Sequence, residues 1–128
     1  MDLAELISAY DATHAGTLLR LLEGRPDELV IGLSGELDMK ASNDLAPILE
    51  AAIWHCPAQG KYVLELSRVS YIASMGVGLL TNLLMRTHEK GIGFSLRGMS
   101  PKVRAIMEVL GLLSFFDVEP TTDSETDR

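Results

Sequence analysis

Residues 62–91 read YVLELSRVSYIASMGVGLLTNLLMRTHEKG, and this stretch decides the fold. Its first part, Tyr62 to Leu66, is a short and almost continuous apolar run, which predicts a buried strand. From Ser74 to Lys90 the apolar residues recur at helical spacing, and Gly91 is a natural helix stop. A buried strand that leads into an amphipathic helix is the repeating unit of an α/β sheet.

The residues before this unit predict a helix and a β-hairpin. Residues 1–16 carry apolar side chains at the spacing of a short amphipathic helix, which Gly16 ends. Two apolar runs follow at 17–22 and 29–34, separated by residues 23–28. The separating segment contains Gly, Pro and Asp, which form turns, so the two runs are predicted to pair as antiparallel strands.

Helical and strand patterns alternate on both sides of the central unit. Ser42 or Asn43 is predicted to cap a helix that extends to Ile53, in which Pro47 forces a kink unless it lies near the first turn. Further elements are indicated by the apolar strand Phe94-Ser95-Leu96, the helix start Ser100-Pro101, the helix stop Gly111 and the final apolar residues Phe115 to Val118.

This order of elements predicts a single α/β domain with a mixed sheet. The hairpin supplies an antiparallel pair, and the later strands are expected to run parallel through right-handed crossovers. We divide the chain into a helical extension at 1–16, the domain proper at 17–118 and an acidic tail at 119–128. The tail contains no apolar residue apart from Pro120, so we expect it to be solvated.

Composition and charge exclude several classes of partner. The formal net charge is −7 and the pI is about 4.8, so the chain lacks the basic surface that nucleic acid or anionic lipid requires. Cys56 is the only cysteine, which excludes an internal disulfide and suits a reducing cytoplasm. The acidic start and the lack of an apolar run of ~20 residues argue against a signal peptide and a membrane span. We therefore expect a cytoplasmic protein with no nucleic-acid or membrane partner.

The turn after the central strand, Tyr71-Ile72-Ala73-Ser74-Met75-Gly76-Val77-Gly78, holds the main candidate functional residue. Gly76 and Gly78 permit a tight chain reversal and the close approach of another backbone segment. The Ser74 hydroxyl is placed to cap the helix, a structural role worth about 1 kcal/mol. Backbone amides at a helix start also hold anions, so Ser74 is suited to phosphorylation, which adds about −1.5 to −2 charges.

Two other interpretations fit this turn less well. The nucleophile elbow of a small serine hydrolase reads Gly-x-Ser-x-Gly, but Ile72 stands at the first glycine, and His88 lies about 21 Å along the same helix. Dinucleotide binding requires a third glycine where this chain has Thr81. We therefore expect neither a catalytic residue nor a cofactor in this chain.

Other polar and aromatic residues are explained by structure. Glu36 and Asp38 project to the same side of an extended segment and, with Asp44, have the chemistry of a divalent-metal site. A solvated strand end followed by helix-start acids explains them more simply, so we expect no metal. Trp54 is predicted to pack at the end of its helix.

Three motifs together resemble the STAS domain of bacterial anti-sigma factor antagonists. They are Gly35-Glu36-Leu37-Asp38, Ser74-Met75-Gly76-Val77-Gly78 and Met99-Ser100-Pro101-Lys102-Val103, and their order and spacing match over residues 30–118. The resemblance implies a four- to five-stranded mixed sheet flanked by about three to four helices. It also implies partner switching: the unmodified protein binds an anti-sigma factor that is a serine kinase, and a sigma factor is released for transcription. Phosphorylation ends this binding, and a serine phosphatase restores it.

The resemblance also assigns roles to residues. Ser74 stands at the phosphoacceptor position, and Asp38 matches the acid of the neighbouring strand-to-helix loop. The kinase brings the ATP, so no cofactor is implied for this chain, and a homodimer is left open. If Met75, Val77 and Leu79 are exposed, they form an apolar patch that marks the partner site. The partner-binding residues implied are Asp38, Ala73, Met75, Gly76, Val77 and Gly78.

The chain departs from the family pattern beside Ser74. The family commonly reads Asp-Ser-Ser-Gly or Asp-Ser-Thr-Gly, whereas this chain reads Ala73-Ser74-Met75-Gly76. The missing acid removes a like charge beside the future phosphate, and it also removes a feature that a kinase recognises. The alternative is therefore a STAS scaffold or accessory subunit of a signalling or lipid-transport complex that is not phosphorylated.

Overall fold

The computed structural model describes residues 2–13 and 18–119. Single 3₁₀ turns lie at Ile53–His55 and Leu113–Phe115. The predicted helix stop at Gly16 and the tail beyond residue 119 lie outside the described residues. The helices and strands in chain order are α1 (Leu3–Thr13), β1 (Leu18–Leu22), β2 (Glu28–Leu37), α2 (Met39–Ala52), β3 (Lys61–Ile72), α3 (Ser74–Glu89), β4 (Gly93–Arg97), α4 (Pro101–Val109) and β5 (Asp117–Glu119).

The five strands form one mixed sheet in the order β1-β2-β3-β4-β5. β1 pairs antiparallel with β2, which confirms the predicted hairpin, and each later pair of neighbours is parallel. A helix links the strands of each parallel pair: α2, α3 and α4 in turn. Because parallel strands need such crossovers, the carboxyl ends of β2, β3 and β4 lie at one edge of the sheet, where these three helices begin.

One hydrophobic core joins the sheet to the helices. Ile31 of β2, Leu64 of β3 and Leu96 of β4 lie side by side in register, and all three are buried. They pack in a cluster that also contains Leu45 of α2 and Leu80 of α3. Burial of each such side chain contributes about 1.5–3 kcal/mol, so this layer fixes α2 and α3 against the sheet.

On the opposite face of the sheet from this core row, charged side chains form a network. Arg97 of β4 contacts Glu28 of β2 at 3.3 Å and Glu119 of β5 at 2.8 Å, and Lys61 of β3 also pairs with Glu119. Burial raises the pKa of Glu119, but hydrogen bonds from Lys61 and Arg97 together bring that pKa down to about 2. Glu119 therefore belongs to the sheet, which corrects its assignment to the tail.

The ends of α4 confirm the predicted stop and start signals. The Ser100 hydroxyl oxygen accepts a hydrogen bond from the Val103 N–H at 3.2 Å, and Pro101 is the first helical residue. Gly111 follows the helix with a φ of +72°, which favours glycine. In the described part of the chain, no helix combines the length and the hydropathy needed to cross a membrane.

α2 begins earlier than predicted. Its cap is Asp38, whose Oδ1 accepts a hydrogen bond from the Ala41 N–H at 2.9 Å. Ser42 and Asn43, the predicted caps, therefore lie within the helix, and Ser42 is buried. Pro47 also lies inside α2, where its missing N–H removes one backbone hydrogen bond.

Candidate functional site

Ser74 lies at the carboxyl edge of the sheet. β2 and β3 are parallel, and their last residues, Leu37 and Ile72, are register partners. The Ala73 N–H donates to the Leu37 carbonyl at 2.9 Å, so the first residue after β3 is tied to the end of β2. Asp38 follows Leu37, and Ser74 follows Ala73. The structure therefore places Asp38 and Ser74 at the same edge.

Ser74 is exposed and is the first residue of α3, not its cap. The cap is Ala73, whose backbone is extended at φ −92° and ψ 172° and whose carbonyl accepts from the Val77 N–H at 3.1 Å. Because alanine has no side-chain acceptor, no described side chain caps the first turn of α3. Ser74 thus has no capping role, and the positive end of the helix dipole faces outward beside it.

The two glycines of the turn differ in what they do. A Cβ on Gly76 would lie 2.7 Å from Ile72 Cγ1 and 3.0 Å from the Leu37 carbonyl oxygen, so only glycine permits this close approach of α3 to β2. A Cβ on Gly78 would meet no described atom within 4 Å, and Gly78 is exposed. Gly76 therefore positions α3, whereas Gly78 leaves the surface of α3 flat near Ser74.

Two residues of the predicted apolar patch are buried. Val77 is 3% exposed and Leu79 is 6% exposed, because both face inward from α3, whereas Met75 is 43% exposed. Gly76 is buried as well. Gly76 and Val77 were predicted to bind the partner, but both lie beneath the surface and support it.

Two exposed apolar side chains at this edge were not predicted. Met39 follows Asp38 and is 62% exposed, and Tyr71 precedes Ile72 and is 38% exposed. Both flank the strand ends that the sequence had indicated, and that position is the signal that could have found them. We call Met39, Tyr71 and Met75 the edge patch.

Positive groups near Ser74 favour an anion at this position, and one negative group opposes it. The first turns of α2, α3 and α4 contain no acidic residue, so three positive helix ends converge on this edge. Lys102, in the first turn of α4, lies with its Nζ 5.9 Å from the Tyr71 ring centroid and adds a positive charge. The Asp38 carboxylate adds a negative charge and would repel an anion on Ser74.

Metal chemistry has no support at this edge. Within residues 2–13 and 18–119, no group of three or more His, Cys, Asp and Glu side chains is placed to hold a metal ion. Glu36, Asp38 and Asp44 therefore do not form the divalent-metal site that their sequence order left open. Asp38 caps α2, and Asp44 pairs with Lys40 at 2.7 Å.

A groove of about 340 Å³ leads away from Ser74 between α2 and α3. Its polar residues include Glu50 of α2 and Asn82 of α3, which are joined across the groove by a hydrogen bond of 2.6 Å. Ala46 and Gly78 are the small residues on its two sides. This groove was not predicted, because it depends on how the two helices pack.

Trp54 does not pack at the end of its helix as predicted. The 3₁₀ turn after α2 directs Ile53 into the core, at 2% exposed, and leaves Trp54 75% exposed. The Lys90 Nζ lies 3.3 Å from the Trp54 ring centroid, a cation–π contact between the ends of α2 and α3.

A family model described as "Mlab, STAS domain" matches residues 7–115 of this chain. Among solved structures, the chain is similar to the anti-sigma factor antagonist SpoIIAA in its unphosphorylated form, with 25% identity, coverage of 84% of this chain and 91% of that chain, and a TM-score of 0.66. An anti-sigma factor antagonist from Mycobacterium paratuberculosis matches with 24% identity, coverage of 86% and 91%, and a TM-score of 0.71. A sulfate transporter family protein from Wolinella succinogenes matches with 17% identity, coverage of 80% and 84%, and a TM-score of 0.67. The last two likenesses show the fold alone.

Proposed function

This chain belongs to the STAS domain family, and on that premise we propose that it is an anti-sigma factor antagonist that acts by partner switching. The unmodified chain binds an anti-sigma factor that is a serine kinase, and phosphorylation of Ser74 ends the binding. A serine phosphatase restores the binding form. STAS domain proteins are typically non-enzymatic antagonists or scaffolds, so in this proposal the kinase brings the ATP and this chain is binder and substrate.

The observation that carries the proposal is the exposed Ser74 at a helix start that no described side chain caps. A phosphate on Ser74 would accept hydrogen bonds from the open first-turn amides of α3 and would gain from its dipole. The modification is therefore compatible with the fold. The 25% identical relative, SpoIIAA, is an anti-sigma factor antagonist whose structure is described as its unphosphorylated form. That description implies a phosphorylated form of SpoIIAA, which supports the proposal that this chain is phosphorylated too.

The edge patch supplies the surface that the phosphate would disrupt. Met39, Tyr71 and Met75 are exposed around Ser74 and suit an apolar partner surface. A phosphoserine carries about −1.5 to −2 charges, and an uncompensated charge in such an interface costs on the order of 2 to 5 kcal/mol. That cost corresponds to roughly 30-fold to several-thousand-fold in affinity, which is enough for a binary switch.

Asp38, Ala73 and Gly78 complete the proposed contact surface. Asp38 is exposed and its carboxylate is held in place because it caps α2. In the unmodified chain it offers a partner a fixed negative charge, and after phosphorylation it adds to the negative charge at this edge. Ala73 is half-buried and Gly78 is exposed, so both leave room for close approach.

Intact mass measurement after incubation with the purified serine-kinase anti-sigma factor of the source organism and ATP tests the proposal. We expect one added phosphate, and no phosphate on Ser74→Ala. Ser70→Ala is the matched control, because Ser70 of β3 is also exposed and lies shortly before Ser74 in the sequence. A phosphate that persists in Ser74→Ala would contradict the assignment of the site.

The second candidate is a STAS scaffold or accessory subunit without a phosphorylation switch. It is favoured by the matching family model, which describes a Mlab STAS domain, and by Ala73 and Met75, which depart from the family pattern beside Ser74. STAS domains also occur in transporters. Partner affinity of Ser74→Asp separates the two candidates: a switch predicts a large loss, and a scaffold predicts no change.

A further inference from the structure

We propose that the outer face of α4 is a contact surface between two copies of this chain, which pair through antiparallel α4 helices about a two-fold axis near Ala105. In this pair, Arg104 of each copy contacts Glu108 of the other copy. The inference is independent of the proposed function, because it involves neither Ser74 nor the edge patch.

The outer face of α4 carries an apolar stripe. Val103 and Met107 pack in the core and are both 0% exposed, so the residues on the opposite side of the helix point to solvent. Those residues are Pro101, Ala105 and Val109, which lie four apart in one row and are all exposed. Val109 is 86% exposed, more than any other large apolar residue in the described part of the chain. Because Ala105 in the middle of the row is small, a second helix can approach closely there.

Arg104 and Glu108 lie beside this stripe on one flank of α4, about one helical turn apart. Both are exposed, and neither side chain forms an ion pair or a hydrogen bond with any residue that the structure describes. The other flank carries Lys102, whose Nζ lies 5.9 Å from the Tyr71 ring centroid. One flank of the stripe therefore offers one base and one acid to a second molecule.

The order of these charges along α4 fits a second copy of the same helix. In an antiparallel pair with a two-fold axis, the same flank of each helix meets, and positions equally far from the axis lie opposite each other. The midpoint between Arg104 and Glu108 is position 106, next to Ala105, so an axis there sets each arginine opposite the glutamate of the other copy. The same axis sets Val109 opposite Pro101. A parallel pair would instead set like charges opposite each other, so the charges favour the antiparallel pair.

The size of the surface sets the expected strength of the dimer. α4 has 9 residues and is therefore about 14 Å long, so its outer face is smaller than a standard protein interface. Exposed ion pairs also contribute little each. We therefore expect a weak dimer with a Kd of about 10 to 100 μM. Each copy carries a formal net charge of −7, so the measurements use about 150 mM salt, which screens repulsion beyond about 8 Å.

Sedimentation velocity of the 128-residue chain tests the pair. From about 5 to 500 μM, we expect a change from monomer to mostly dimer, and a parent chain that stays monomeric throughout would overturn the proposal. Arg104→Glu and Glu108→Arg each set like charges opposite each other at both contacts and should weaken the dimer about 30-fold. Arg25→Glu and Glu89→Arg make the same charge changes at exposed positions outside α4 and should dimerise like the parent chain.

Combining the two charge changes tests the register of the pair. In an equimolar mixture of Arg104→Glu and Glu108→Arg, one copy carries two acids and the other carries two bases, so the mixed pair regains both contacts between opposite charges. We expect this mixture to dimerise, and so should the double variant Arg104→Glu/Glu108→Arg, which keeps the composition of the parent chain. Thermal unfolding at about 5 μM, where the chain is monomeric, checks that each variant is folded. If the mixture and the double variant stay monomeric, or if either single variant dimerises like the parent chain, the antiparallel α4 pair is wrong.

Discussion

The Ala73 N–H and the Leu37 carbonyl, 2.9 Å apart, join the start of α3 to the end of β2. Gly76 makes this approach possible, because a Cβ there would lie 3.0 Å from the same carbonyl oxygen. The position of Ser74 relative to Asp38 therefore depends on one backbone hydrogen bond and one glycine.

Alanine at the two glycines should change stability in opposite directions. Gly76→Ala is expected to lower the free energy of unfolding by about 1 to 3 kcal/mol, because the new methyl group overlaps β2 and Ile72. Gly78→Ala is expected to raise it by up to about 1 kcal/mol, because glycine is unfavourable inside a helix and the site is open. Urea denaturation measures both values. Equal effects of the two substitutions would contradict the different roles of these glycines.

Asp38 should show separable structural and binding effects. Asp38→Ala removes the acceptor for the Ala41 N–H and is expected to lower the free energy of unfolding by about 1 kcal/mol. Asp38→Asn keeps a capping acceptor and should leave stability nearly unchanged, while it removes the negative charge at the edge. Denaturation and partner affinity are measured on both variants. If Asp38→Asn binds the partner as tightly as the parent chain, the carboxylate has no charge-based role in binding.

The fold was predictable where periodicity and chain-breaking residues agreed. The hairpin, α3 and α4 follow from apolar spacing bounded by Gly, Pro and Ser, and these signals are local. The start of α2 was not predictable in this way, because Asp38, Ser42 and Asn43 are all good caps. Only the packed structure shows that Ser42 is buried and that Asp38 caps the helix.

The position of the site was predictable, but which of its side chains are exposed was less so. The strand-to-helix turn at Ser74 follows from sequence, but exposure depends on which way each side chain faces after packing. Val77 and Leu79 face inward on α3. The 3₁₀ turn after α2 buries Ile53 and leaves Trp54 exposed at the surface. Neither result follows from hydrophobicity, which is high for all four residues.

Tyr62→Phe should destabilise the chain although it removes a single oxygen atom. Tyr62 is 0% exposed, and its hydroxyl donates to the Leu49 carbonyl at 2.7 Å, which links β3 to α2. Loss of this buried hydrogen bond is expected to lower the free energy of unfolding by about 1 to 1.5 kcal/mol. Tyr71→Phe is the matched control, because Tyr71 is 38% exposed and its loss should be nearly neutral. Equal unfolding midpoints for Tyr62→Phe and the parent chain would show that the bond contributes no net stability.

Glu119 should make the sheet sensitive to acid. Hydrogen bonds from Lys61 and Arg97 outweigh burial and lower its pKa from 4.5 to about 2 in the folded chain. Because the folded pKa is the lower one, the stabilisation is present above about pH 5 and is lost as the pH falls towards 2. It is on the order of 2 kcal/mol at neutral pH, less than the full pKa shift would give, because the partly exposed carboxyl is screened by solvent.

The difference in unfolding free energy between the parent chain and Glu119→Gln, measured from pH 7 to pH 2.5, checks this assignment. We expect the difference to be largest at neutral pH and to shrink through the acid range, because protonated glutamate and glutamine both lack the charge that Lys61 and Arg97 bind. Glu108→Gln, at an exposed position on α4, controls for the general effect of removing one acid. A difference that does not change with pH would mean that the contribution of Glu119 comes from packing and not from its charge.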